Sequence, residues 1–218
     1  MVTILIIAIT GFVSFSAFSN YSLLDRFIFY PPEIKRKQWY RFITSGFVHA
    51  DWGHLIFNMF SLYLFGQAIE TVFKEVFGVP EGIVLYVLLY LTGLVFSILP
   101  TYFKEKENDM YRCLGASGAV SSIVFAYILV YPMSYMGIML VPVMLPAFLF
   151  GIIYVIASVY MDKNSQGNIN HSAHIAGGLY GIIFMAIVFR AFADINIFEW
   201  FIDNIEINSL SDLVHLGY

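Results

Sequence analysis

Four polar side chains lie in stretches of this chain that are otherwise apolar. Ser117 stands in Leu114-Gly115-Ala116-Ser117-Gly118, at the head of a run that carries no charge until Asp162. His174 lies in Ala173-His174-Ile175-Ala176-Gly177, and His54 and Asn58 stand four apart in a third apolar segment. A serine hydroxyl is a poor nucleophile unless a base takes its proton, and an imidazole is suited to that work at neutral pH. His54 and Asn58, at i and i+4, share one helical face. Neither is a nucleophile, but both can donate hydrogen bonds. Aimed at the carbonyl oxygen of a tetrahedral intermediate they would form an oxyanion hole, in which one donor is worth roughly 2.7–4 kcal/mol of barrier. Polar groups inside lipid are rare and mark function by default. Together these four point to peptide hydrolysis within a membrane.

Each residue also has a plainer reading. Ser117 could be a packing residue, since Gly115, Gly118, Ala119 and Ser122 give its segment a small-residue face. His174 could bond a backbone carbonyl, and His54 with Asn58 could clamp two helices. Position favours chemistry. The charged loop before Gly115 places Ser117 in the first turn of a helix, where backbone N–H groups are unpaired and the dipole is positive. Gly177 and Gly181 form a GxxxG face one turn beyond His174, so this helix can press on the small face of the Ser117 helix and bring imidazole to hydroxyl. No acid completes a triad. Glu70 is about four turns from His54 at ~1.5 Å per residue, toward the opposite membrane face. A Ser–His dyad is expected.

The elements that must position these groups are membrane helices. The chain has 218 residues, 60% hydrophobic and 12% charged, with mean hydropathy +0.78. Soluble domains are about 45–50% apolar and about 25% charged. The net charge of −4 is too small to imply nucleic acid or an acidic substrate. The single cysteine, Cys113, excludes an internal disulfide and reads as a small buried hydrophobe. No Lys or Arg precedes the first apolar run, which predicts a retained span rather than a signal peptide. Six segments are long enough to span: about 2–21, 53–73, 83–102, 115–132, 136–160 and 172–192. Tyr131–Tyr135 reads as a tight turn between antiparallel fourth and fifth helices. The core is therefore expected over 1–193. An acidic amphipathic tail follows over 194–218, with Phe198, Phe201, Ile202 and Ile205 on one face and Glu199, Asp203 and Glu206 on the other. The long first connection mixes Tyr30-Pro31-Pro32, Lys35-Arg36-Lys37 and Gln38-Trp39-Tyr40-Arg41-Phe42, which suits either a headgroup-level segment or a solvated loop.

These residues resemble the rhomboid intramembrane serine proteases. The match runs from Tyr40-Arg41 through His54-Leu55-Ile56-Phe57-Asn58, Gly66-x-x-x-Glu70 and Gly115-Ala116-Ser117-Gly118 to Ala173-His174-Ile175-Ala176-Gly177 and Gly181. The resemblance implies an all-α bundle of six transmembrane helices with a long membrane-associated first loop. By it, Ser117 is the nucleophile and His174 the base, and His54, Asn58 and the Ser117 backbone N–H form the oxyanion hole. Substrates would be single-span membrane proteins in the lipid bilayer, cleaved with no metal or cofactor, and helix five would help gate lateral access, made irregular by Pro142 and Pro146. The family's first-loop Trp-Arg pair is Tyr40-Arg41 here. Some bacterial members carry a tyrosine one turn after the nucleophile, stacked under the histidine. Ser121 holds that place, so another group must orient His174. The resemblance implies a plasma (inner) membrane protein whose site faces outward. The charge count disagrees, since Arg26, Lys35, Arg36, Lys37, Arg41, Lys104, Lys106, Arg112 and Lys163 fall on the site side and only Lys74 and Arg190 on the other.

Two rivals have other readouts. A metal transporter or metalloenzyme would use His49, His54, His171 and His174, but no inward carboxylate or thiolate accompanies them and no HExxH run occurs. A catalytically silent membrane chaperone of the same fold would leave Ser117 unreactive to a fluorophosphonate.

Overall fold

A computed structural model describes residues 1–137, 143–164 and 170–215. Helix α1 (Val2–Phe18) is followed by three short helices of the first loop, α2 (Tyr21–Phe27), α3 (Pro31–Lys35) and α4 (Arg41–Thr44). Next come α5 (Trp52–Ser61) and α6 (Gln67–Phe77), which join through a π-helical turn into one helix, then α7 (Val79–Glu105) and α8 (Ser117–Val130). A small antiparallel hairpin, β1 (Tyr135–Gly137) with β2 (Met144–Pro146), precedes α9 (Ala147–Asn164), α10 (His171–Ala193) and the seven-residue α11 (Ile197–Asp203). Among the described residues, three helices are long and apolar enough to cross a bilayer: Trp52–Phe77, Val79–Glu105 and His171–Ala193. The chain is a mainly helical membrane protein.

Helix α8 lies at the centre. Every residue except Ser117 and Tyr127 is buried, as expected of a helix apolar all round. Its 14 residues cover about 21 Å at ~1.5 Å per residue, against about 30 Å of hydrocarbon. One end must therefore lie below the membrane surface, with its connecting backbone shielded by protein. That end is the Ser117 end, because Cys113 and Ala116 before it are also buried.

Helix α1 is fastened at its start. Glu70, fully buried, accepts from the backbone N–H of Val2 (3.0 Å) and Thr3 (2.8 Å) and from Thr3 Oγ1 (2.7 Å), and pairs with Lys74. A carboxylate on another helix thus satisfies N–H groups that a helix start leaves unpaired.

The first loop folds on itself. Phe29, Ile34, Ile98 and Cys113 form a second apolar cluster, and Phe29 and Cys113 exchange backbone hydrogen bonds of 3.0 and 3.2 Å. Arg41 is buried and donates to the carbonyls of Asp25 and Ile28 and to Gln38 Oε1.

The 136–160 stretch departs from the expected span. The hairpin occupies its beginning, and the helix starts at Ala147. Ala147 N–H donates to Ser134 O (2.8 Å) and Phe148 N–H to Pro132 O (3.0 Å), so α9 starts beside the turn that ends α8 and the hairpin is an excursion between them. Pro146 closes β2 and therefore does not distort the helix, while Pro142 lies outside the described residues. The tail also differs. Ile197 is buried and Phe201 packs on the core, but Phe198 and Ile202 are exposed, and Trp200 Nε1 donates to Val130 O (3.0 Å). A helix this short docks by its N-terminal residue and one turn later, not along the longer face read from the sequence.

Candidate active site

Ser117 is the first residue of α8. The residue before it, Ala116, has no side-chain group to cap the helix, so the N–H groups of the first turn keep their capacity for a ligand oxygen. The approach is held tightly. Gly115 N–H donates to Ser45 O (2.9 Å) and Ala116 N–H to His49 Nε2 (3.3 Å). Gly115 has φ +112° and lies against the His54 ring, where a Cβ would overlap the imidazole. The sequence reading gave Gly115 to helix packing. It is a loop residue outside α8, required for its backbone conformation and for the room it leaves His54.

His174 lies in the first turn of α10, which Asn170 caps by accepting from Ala173 N–H (3.0 Å). Helices α8 and α10 cross at glycines. A Cβ on Gly177 would overlap the Gly118 carbonyl and one on Gly181 the Ser122 carbonyl, and Ser122 Oγ donates to Gly177 O (2.9 Å). The backbone of the residue after Ser117 therefore touches α10 one turn beyond His174. A Cβ on Gly118 would also come 3.4 Å from the carbonyl of Ala173, the residue before His174. His174 Nε2 is buried and has no hydrogen-bond partner. Its ring stacks on Tyr154 of α9 (centroids 6.2 Å apart, planes 25° apart) and meets His171 edge-on at 5.6 Å.

His54 is on α5, whose start is capped by Asp51 Oδ1 accepting from His54 N–H (2.8 Å). Its ring meets His49 edge-on at 4.9 Å and lies against Gly115, two residues before Ser117. Asn58 is buried and donates from Nδ2 to His54 O (2.9 Å), which leaves one N–H of its amide to offer. The structure thus gathers Ser117, His174 and His54 at one end of the bundle, with Asn58 one turn below His54.

Two residues have places here that the sequence reading did not give them. His49 is fully buried, and Ser14 Oγ lies 2.9 Å from its Nδ1 and donates to Phe47 O (2.9 Å). With Nε2 accepting from Ala116, only the Nδ1–H tautomer satisfies the whole chain of bonds. Tyr154 stacks on His174, and its hydroxyl lies 2.8 Å from Ser121 Oγ. The sequence reading named His49 only among the histidines of the rival metal site, and Tyr154 not at all.

A crevice of about 20 Å³ runs beneath Ser117, lined by polar Ser45, Ser97 and Asn170, wide enough for one water. Cys113 and Asn170 also line a charged cavity of about 390 Å³ at the same end. Burial pushes the Cys113 thiol up to about 12, which makes it inert as a nucleophile. Among the described residues no three His, Cys, Asp or Glu side chains converge as metal ligands.

Residues 36–191 match the family model of the Rhomboid domain. The chain is 30% identical over 192 residues to RHOMBOID-like protein 12, mitochondrial, of Arabidopsis thaliana, covering 82% of this chain and 55% of that protein. It is 31% identical over 154 residues to Rhomboid-like protein 11, chloroplastic, of the same plant, covering 66% and 51%. It is also 31% identical over 91 residues to Putative rhomboid protease YdcA of Bacillus subtilis (strain 168), covering 42% and 41%. The chain spans about half the length of the two plant relatives.

Proposed function

The chain belongs to the rhomboid family, and from that premise we propose that it is an intramembrane serine endopeptidase in which Ser117 and His174 act as a dyad. The observation that carries the reading is the buried His174 Nε2 without a partner, on the helix whose backbone touches the residue after Ser117. A buried unpaired nitrogen is costly and calls for a reason, and a base awaiting a hydroxyl proton supplies one. Catalytic hydrogen bonds often close only when substrate binds.

A substrate transmembrane helix unwinds near small or helix-breaking residues and presents a peptide carbonyl to the start of α8. Ser117 Oγ adds to the carbonyl carbon while its proton passes to His174 Nε2. The Ser117 backbone N–H, His54 and Asn58 stabilise the oxyanion. The intermediate collapses to an acyl-enzyme as the leaving amine takes the proton from His174. Water then attacks the ester, giving a proton to His174, and Ser117 recovers it as the acid product departs. Every group required belongs to the chain, so no metal is needed.

Substrates of this reading are single-span membrane proteins. The site opens to the extracytoplasmic side of a bacterial-type membrane, or to the equivalent side of an organelle, as the names of the plant relatives suggest. The test is a model transmembrane substrate in proteoliposomes with fluorophosphonate labelling. Ser117→Ala should fold, lose labelling and lose cleavage. Cleavage near the wild-type rate in that variant would refute the assignment, and a wild-type protein that neither cleaves nor labels would favour a silent member of the family.

A further inference from the structure

We propose that Tyr154 is the positioning residue of His174, and that the seat of α9 thereby sets the orientation of the base; this rests on the dyad reading above. With no hydrogen bond at Nε2, the imidazole takes its orientation from what packs on it. One face is covered by the Tyr154 ring at 6.2 Å and 25°, and His171 meets its edge. The Tyr154 ring is itself fixed. Its hydroxyl bonds Ser121 Oγ at 2.8 Å, Phe125 meets it at 5.8 Å and 62°, and Phe150 lies nearly parallel at 6.4 Å.

Ser121 is one turn beyond Ser117 on α8, so the anchor of the ring is the helix that carries the hydroxyl. Tyr154 therefore ties three helices at one point: α8 through Ser121, α9 through its own backbone and α10 through His174. Because the ring rides on α9, any displacement of α9 removes the stack while leaving the α8–α10 glycine contact in place. Gly151 lies one turn before Tyr154 and packs on Ile128 and Phe125 of α8. A Cβ there meets the Cδ1 end of Ile128 at 3.0 Å, so Val crowds the α8–α9 contact one turn from Tyr154 without replacing Tyr154 or either member of the dyad.

The experiment compares Tyr154→Phe, Tyr154→Leu, Ser121→Ala and Gly151→Val by steady-state cleavage, thermal unfolding in detergent, and the ¹H shift of the His174 Cε1–H in histidine-labelled protein, assigned with His174→Asn. Misplacing a catalytic group by about 1 Å costs on the order of 100-fold. Tyr154→Leu should therefore lose roughly 10- to 100-fold in kcat with KM little changed, and the ring-current shift should disappear, while Gly151→Val, which keeps the ring, should lose less. Tyr154→Phe and Ser121→Ala break the same hydrogen bond but keep the ring, so both should fall between wild type and Tyr154→Leu. The proposal is overturned if folded Tyr154→Leu keeps its kcat or its ring-current shift, or if Tyr154→Phe is as impaired as Leu. Should wild-type protein neither cleave nor label, the hydrolase reading fails by itself, and the resonance still decides whether Tyr154 orients His174.

Discussion

His49 shows how a single side chain can hold the loop that leads into α8. It accepts from Ala116 N–H, the residue before Ser117, and is braced by Ser14 on α1. His49→Phe keeps the bulk but strands a buried N–H and a hydroxyl lone pair. The expected loss is about 1–3 kcal/mol of stability with slower cleavage, read by thermal unfolding and turnover. Burial first, and His54 second, lower the His49 pKa to about 3, with Asp51 opposing. The unfolded chain takes up this proton as pH falls through the ordinary histidine range and the folded protein does not. Stability should therefore decline from about pH 6.5 downward to about 3. His49→Phe should flatten that decline; an equally steep acid limb in the variant would contradict the assignment. Since every group of the proposed reaction is a side chain or backbone atom, EDTA should leave the cleavage rate unchanged.

The helices themselves are packed by small residues and tied by polar ones. Gly177→Leu places a side chain against the Gly118 carbonyl, and prising α10 from α8 should abolish cleavage and sharply lower the melting temperature. Glu70→Leu orphans the α1 donors of Val2 and Thr3. It should cost several kcal/mol, since each unsatisfied buried group costs about 1–3 kcal/mol, while Glu70→Gln should recover part of this by retaining an acceptor. Equal melting temperatures for the two variants would argue against the clamp. Hydropathy found the helices that cross the core, because a span needs only a long apolar run. It misread 136–160 because a short apolar run pairs as a hairpin as readily as it winds into a helix. Besides β1, which is near in sequence, Met144 of β2 pairs with the backbone of His215, which lies far along the chain.

At the scale of the whole molecule, four of the nine cations in the site-side loops are engaged within the fold. Lys35 pairs with Glu107, Arg36 with Glu33 and Arg112 with Asp25, while Arg41 is buried against carbonyls. The other five still outnumber Lys74 and Arg190 on the opposite side, so the outward-facing site of the proposed function stands against the charge count and orientation has to be measured. The expected outcome is that Asn108→Cys in a Cys113→Ser background is labelled by a membrane-impermeant maleimide added from outside intact cells; labelling only after lysis would reverse the orientation. The sequence by itself determined that this is a membrane protein and which hydroxyl, imidazoles and amide stand in its apolar segments, because hydropathy and residue type are local properties. The tertiary structure alone decided that Tyr154 supplies the ring beside His174, that His49 braces the loop before α8 and that Glu70 caps α1. Each of those roles depends on contact between side chains on different elements, far apart in sequence, and no periodicity along one segment encodes which neighbour it will meet.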